Sequence, residues 1–411
     1  MKRKMLKWLS LFAIIGIASC SQEEPLNGSS RTIQNENSGQ DERISVDEAL
    51  EMAANAFYEF NDDKTRAQKS FALTSENVAY VTNDKTRAAN DTILYIVNYP
   101  DSLGVAVISS RRIVTPLLAV TEKGTIDDLS HIQNPGMKIF MEHAIAYAST
   151  APLEDEGRTR VGSIVDNLYE YKTEQESTNL ACEPRVKVEW GQTGIYGEFC
   201  PNGVAGCSNT AAAMIMSYFE LPTSIVLNQL RPAASIALPW GEMKQHVKGT
   251  QDNTCAAGVH TVISFLFYEL GYRSSSSYNV SSAGNSTSTA VSKTRSTLSD
   301  LGFNVGTVTS YKYNALYSNL GAGVMFMYGS SSDGGGTHAW VGDGYKGTHN
   351  VARELRKRKD EFMWTEISRT DVTTIYNHFN WGWNGLYNGY FLDGTFGNYG
   401  DNVGYFMVNK K

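Results

Sequence analysis

The stretch that most constrains this chain is VAGCSNTAAAMIMSYFELP, beginning at Val204, in which Gly206 and Cys207 run straight into a helical pattern. Ala211, Met214, Ile215 and Tyr218 recur at helical spacing from Cys207 and predict one buried stripe, while Ala211 to Ala213 let a neighbouring element approach closely. The helix therefore starts at a cysteine. Unpaired backbone N–H groups and the dipole at a helix start favour a thiolate, so this placement predicts a lowered pKa for Cys207. An isolated cysteine is more often a small buried hydrophobe. What sets Cys207 apart must come from the rest of the chain.

A cysteine nucleophile needs a base that holds its proton and later returns it, and histidine titrates in the right range. Of the 7 histidines, His338 has the most marked setting, GGGTHAWVGDGY, a triple-glycine approach followed by alternating strand residues. His246 and His260 fall in helix-like or polar segments, and His131 and His349 in expected loops. His143 lies on an expected helix and is assigned no role. His378 is the competitor. On a strand it would share a face with Asn380, leaving Asn380 able to orient a histidine from a neighbouring strand. Asn380 and Trp381 lie in HFNWGWNGLYNGYF; an amide oxygen there could fix an imidazole's tautomer, and the indole could exclude water. Gln192, in VEWGQTGIYGEF, is the candidate side-chain donor to an oxyanion.

The ordered motifs WGQ, GC at a helix start, GTHAWVGDGY and FNWGWNGLYNGYF resemble those of the streptopain family of papain-fold bacterial cysteine peptidases. The resemblance implies an α+β, papain-like peptidase of two subdomains, a helical part carrying Cys207 and an antiparallel sheet carrying His338 and Asn380. It also implies Cys207 and His338 as a dyad working through a thioester, Gln192 in the oxyanion hole, and Asn380 with Trp381 orienting and shielding the histidine. No metal or organic cofactor is expected. Upstream, 43–150 is similar to the family's propeptide, a small α+β inhibitory domain. The tail DGTFGNYGDNVGY resembles a mobile loop bordering the substrate cleft. Two departures stand out. Ser208 and Asn209 occupy positions where a Val-Ala type pair is usual, which bears on the cleft wall, and an insertion at about 346–376 carries the basic run RELRKRKDE, expected as a solvated loop or helix.

With 411 residues, 41% hydrophobic and 19% charged, the chain has apolar material for a sizeable core. A net charge of -7 gives no reason to expect nucleic acid as a partner. The basic MKRKMLK followed by a short apolar run reads as an export signal over 1–20, ending in IASC, which resembles a lipobox with Cys20 as the lipidated residue. Residues 21–42 read as a flexible tether whose SQEE start resembles the surface-export tag of Bacteroidetes lipoproteins. The expectation is an outer membrane lipoprotein at the cell surface, released if the chain is cut in the polar linker 151–184 ahead of the peptidase region 185–411. Expected elements in 43–150 are a helix after Ser45, a hairpin, a strand at TPLLAVT and a second helix after Asn134. Of the 5 cysteines, Cys182, Cys200 and Cys255 are left to form at most one disulfide. Expected partners are protein or peptide substrates, the chain's own propeptide and the membrane, with the chain a monomer. Two other classes stay open: acyl transfer to amines on the same residues, and an inactive peptide-binding surface lipoprotein.

Overall fold

The computed structural model describes residues 43–60, 72–82, 92–152, 169–246, 257–282, 284–332, 336–397 and 402–411. The export signal, the tether, Cys20 and Cys255 lie outside the described residues, as does part of the glycine-rich tail.

Helix α1 (Val46–Phe60) begins with a reciprocal cap: the Glu48 N–H donates to the Ser45 hydroxyl at 3.2 Å and the Ser45 N–H donates to the Glu48 carboxylate at 2.8 Å. Its buried stripe of Ala49, Ala53, Ala56, Phe57 and Phe60 covers an antiparallel meander of β1 (Val78–Thr82), β2 (Thr92–Asn98), β3 (Val105–Ser109) and β4 (Leu117–Thr121). Helix α2 (Pro135–Thr150) starts where Asn134 accepts the Gly136 and Met137 N–H groups and Pro135 pre-sets the first turn. Strand β5 (Tyr169–Cys182) follows.

The remainder supplies α3 (Cys207–Phe219), hairpin β6 (Ser224–Leu227) with β7 (Ala234–Ala237), α4 (Ala257–Arg273), hairpin β8 (Ser277–Asn279) with β9 (Ser286–Ser288), and α5 (Val291–Asp300). Then come β10 (Phe303–Val305), β11 (Thr309–Ser310), β12 (Val324–Ser330), β13 (Thr337–Arg358), β14 (Thr365–Asn380), β15 (Gly389–Leu392) and β16 (Val403–Lys410). These strands and the meander form one sheet in the order β1-β2-β3-β4-β15-β14-β13-β12-β16-β10, with β11 on β16 and β5 on β13. The junction is antiparallel pairing of Gly389, Tyr390 and Phe391 with Thr121, Val120 and Ala119.

Strand alternation then divides the core in two. Met325, Met327, Trp340 and Phe379 join a cluster with Phe57, Phe140 and the rest of the N-terminal region. Val324, Phe326, Ala339, Val341, Phe406 and Val408 point the other way, onto Trp190, α3 and α4. Neighbours on one strand thus serve opposite sides.

Two segments differ from their expected form. The insertion is neither loop nor helix: it is the outer part of β13 and β14, paired from Lys346 with Tyr376 to Arg356 with Thr365 with one register shift at Glu354/Leu355, and His349 lies within it on β13. The second half of the polar linker is β5, paired along β13 from Tyr345 with Cys182 to Arg358 with Tyr169. Much of each strand is exposed on both faces, so polar and charged residues occupy both and no apolar period marks them.

Candidate active site

Helix α3 does begin at Cys207, and the backbone ahead of it explains the glycine. Gly206 has φ of 89°, a left-handed conformation that favours glycine, and a Cβ there would crowd Thr287. The Gln192 carbonyl accepts the Ala205 N–H at 2.8 Å, and the Gly191 carbonyl accepts the Thr210 hydroxyl at 3.1 Å. The segment carrying Gln192 therefore runs along the start of α3, with Gln192 half-buried. From the other side Asn202 donates to the carbonyls of Asn279 and Ser286 at 3.0 and 2.9 Å, tying the approach to Cys207 onto β8 and β9.

Ser208 and Asn209 are buried beneath this turn. Asn209 donates to the Ala205 carbonyl at 2.8 Å and the Ser276 hydroxyl at 2.9 Å, and accepts from Ser274 at 3.0 Å. Burial raises the Cys207 thiol above its ordinary pKa, outweighing the Ala339 N–H, the Ser208 hydroxyl and N–H, and its own N–H, all of which favour the thiolate. The lowered value expected from the helix start alone is overturned by desolvation. Cys182, Cys200 and Cys207 are all free thiols.

His338 shares a face of β13 with Trp340, and the two rings stack at 6.3 Å. That is the side packed by the N-terminal region, whereas Cys207 packs against the opposite cluster. The imidazole Nε2 is 2.8 Å from the backbone carbonyl of Trp381. A carbonyl can only accept, so Nε2 carries the proton and Nδ1 is left as the basic nitrogen. Burial pushes the His338 pKa down to about 4, against a smaller opposing effect of the Trp381 carbonyl, and the thiol is not among its causes.

Asn380 does not orient His338 here. Its amide donates to the Val188 carbonyl at 2.8 Å and its oxygen accepts the Gly382 N–H at 3.2 Å, so the orienting acceptor is the main chain one residue on. Trp381 is fully buried, with its N–H on the Asn388 side-chain oxygen at 3.0 Å and its indole N–H on the Tyr387 carbonyl at 2.8 Å. A backbone acceptor leaves no mark in a residue pattern; the asparagine that pins it, Asn388, stands in the same motif.

His378 is removed from contention by its partners. Its Nδ1 is 2.6 Å from Asp343 and its Nε2 is 3.5 Å from Glu122. Burial would lower its pKa, but Asp343 and then Glu122 outweigh that and hold it up at about 10. A histidine kept protonated cannot serve as a base.

Residues of the N-terminal region also reach the site, and sequence patterns did not single them out. A Cβ at Gly136 would come within 2.9 Å of His338 Cδ2 and closer still to the Trp381 ring. Asn134 donates to the Leu386 carbonyl at 3.0 Å. Glu142 on α2 accepts the Ser332 N–H at 2.9 Å and both the Ser331 and Ser332 hydroxyls, holding the turn that leads to His338. Lys123 donates to the Asn384 carbonyl at 3.3 Å, and Tyr387 donates to the Thr125 carbonyl at 2.8 Å.

A cysteine heading a helix packed against an antiparallel sheet, with a histidine on the adjoining strand, is the arrangement of a papain-like cysteine peptidase. Residues 190–391 match the model of the Peptidase C10 family, and over that stretch the chain belongs to this family of cysteine peptidases. Among solved structures, a fragment of prointerpain A from Prevotella intermedia is similar at 20% identity, with a TM-score of 0.51 over 81% of this chain and 97% of the fragment. No curated protein sequence matches.

Proposed function

We propose that this peptidase is made as an inactive precursor in which the 43–150 region is an inhibitory propeptide, and that Cys207 and His338 become its catalytic dyad when that region leaves. The supporting observation is how closely Gly136 approaches the site: a Cβ there would lie 2.9 Å from His338 Cδ2 and nearer still to the Trp381 ring, so the 43–150 region covers the imidazole. Once released, Nδ1 of His338 takes the thiol proton. The Cys207 sulfur adds to the substrate's peptide carbonyl, with the Cys207 N–H and the Gln192 amide receiving the oxyanion. The imidazolium protonates the departing amine, leaving a thioester, and water activated by the same imidazole hydrolyses it. Trp381 contributes its carbonyl to hold the histidine and its buried ring to exclude water.

The chain is further read as exported, anchored in the outer membrane through Cys20 and self-processing. A thiol-directed active-site probe should label processed protein at Cys207 and not Cys207→Ala. Cys207→Ala should also persist as the full precursor; its complete maturation in the absence of other proteases would end the self-processing reading. Metabolic labelling with a fatty-acid analogue, lost in Cys20→Ala, tests the anchor.

A further inference from the structure

Strand β5 lies in the region a propeptide-removing cut has to cross, yet it is held along its whole length. It pairs with β13 from Cys182 opposite Tyr345 to Tyr169 opposite Arg358, and β13 ends where β5 begins. The side chains agree with the ladder. Lys357 meets Glu170 at 2.9 Å and Arg353 meets Glu176 at 3.2 Å. Lys172 and Lys357 lie 4.7 and 5.4 Å over the Trp364 ring, and Arg356 lies 4.6 Å over Tyr169. The basic run of the insertion is thus set against the acidic residues of β5. Just beyond the strand, Arg185 donates to the carbonyls of Leu320, Gly321 and Gly323, and the Val186 N–H donates to Asp343 at 2.7 Å.

We propose that the insertion is a clamp for this segment: the activating cut falls on the N-terminal side of Tyr169, and the processed peptidase keeps Tyr169–Cys182 as the third strand of its β13–β14 arm. The inference rests on the reading of 43–150 as a removable propeptide. A peptidase binds its substrate as an extended segment free of other pairing, so β5 has to open from the ladder before any bond in it is cut, and that opening lowers the cutting rate. Exposed ion pairs add little singly. The paired backbone and the stacked cations therefore carry most of the protection.

The test uses full-length Cys207→Ala precursor, which cannot cut itself, digested with a glutamate-specific protease and followed by intact-mass spectrometry. The bonds after Glu170, Glu174 and Glu176 are expected to be spared. Replacing His349–Thr373 by Asn-Gly, which joins the facing Thr348 and Thr374, should make them cut at least about tenfold faster; equal rates overturn the clamp. Should the shortened chain not fold, the double reversal R353E/K357E should still accelerate those cuts about threefold, and no acceleration overturns the proposal. In the wild-type chain, a mature N-terminus ahead of Tyr169 is expected, and one inside 170–182 overturns it. Persistent protection of the β5 glutamates in a wild-type chain that never processes itself would sink self-processing and support the clamp.

Discussion

The surroundings of Cys207 are those of a nucleophile already in place: a helix start shaped by Gly206, the Gln192 segment bonded alongside, and N–H groups turned towards the sulfur. The surroundings of His338 are those of a residue held back. Its ring is buried against Trp340, approached by Gly136, and kept neutral. On the proposed reading of 43–150 as an inhibitory propeptide, the precursor's inactivity lies with the histidine. Nothing need be built around the thiol on activation; the histidine has to be freed.

The sharpest way to break this contrast is to remove each partner and to process the variants in trans with wild-type enzyme, since they are not expected to cut themselves. Cys207→Ala and His338→Ala should each lower kcat by on the order of 10^4-fold, because the two act as a unit. A fall of less than tenfold for His338→Ala, measured on a peptide substrate, would place the base elsewhere.

Acid should release the histidine before it affects the thiol. His338 is held near 4, below its ordinary 6.5, so the closed precursor disfavours its protonated form. Its contribution is full above about pH 6.5, is lost as pH falls towards 4, and does not change further below that, amounting to at most about 3 kcal/mol. Glu59 works weakly in the opposite sense: it is exposed on α1, and partial desolvation by its surroundings, opposed by Lys346, raises its pKa. The comparison must therefore be differential. Urea midpoints of Cys207→Ala and Cys207→Ala/His338→Asn precursors should diverge between pH 7 and 4.5, and parallel curves would show that His338 is not held neutral. His378 supplies a separate arm at high pH: held up at about 10, its stabilisation is full below about 6.5 and lost as pH rises through 10.

Gly136 tests the same contrast through shape. Gly136→Leu puts a side chain where the Trp381 ring and His338 already stand, so it should weaken the closed form by about 1–3 kcal/mol. Uncut precursor carrying it should label with a thiol probe about 10–100-fold faster than the parent. Unchanged labelling would mean that the N-terminal region silences the site by other contacts.

The helix start at Cys207, the setting of His338, and both helices and three of the four strands of 43–150 were legible because each is written locally, in spacing, caps and apolar alternation, whereas β1 (Val78–Thr82) was not read. The path of Gln192 was legible for the same reason. Three further features were not. The Trp381 carbonyl is a main-chain group that every residue possesses, so a residue pattern points instead to the Asn380 side chain beside it. The arm and β5 have extensively solvated faces and so lack the apolar period by which a strand is read. The raised thiol pKa reflects long-range burial, which a helix start does not report.

The smallest expected effects separate the two asparagines of that motif. Asn388 pins the Trp381 N–H, so Asn388→Ala loosens the peptide that carries the histidine's acceptor. It should lower kcat about tenfold with KM little changed, since it acts through orientation rather than binding. Asn380→Ala breaks bonds to Val188 and Gly382 that do not include the imidazole. It should lower stability by about 1–3 kcal/mol and kcat only a few-fold. A well-folded Asn380→Ala enzyme that lost more than a hundredfold in kcat would show that the freed histidine exchanges the Trp381 carbonyl for the Asn380 side chain. The orienting contact would then belong to the closed precursor alone.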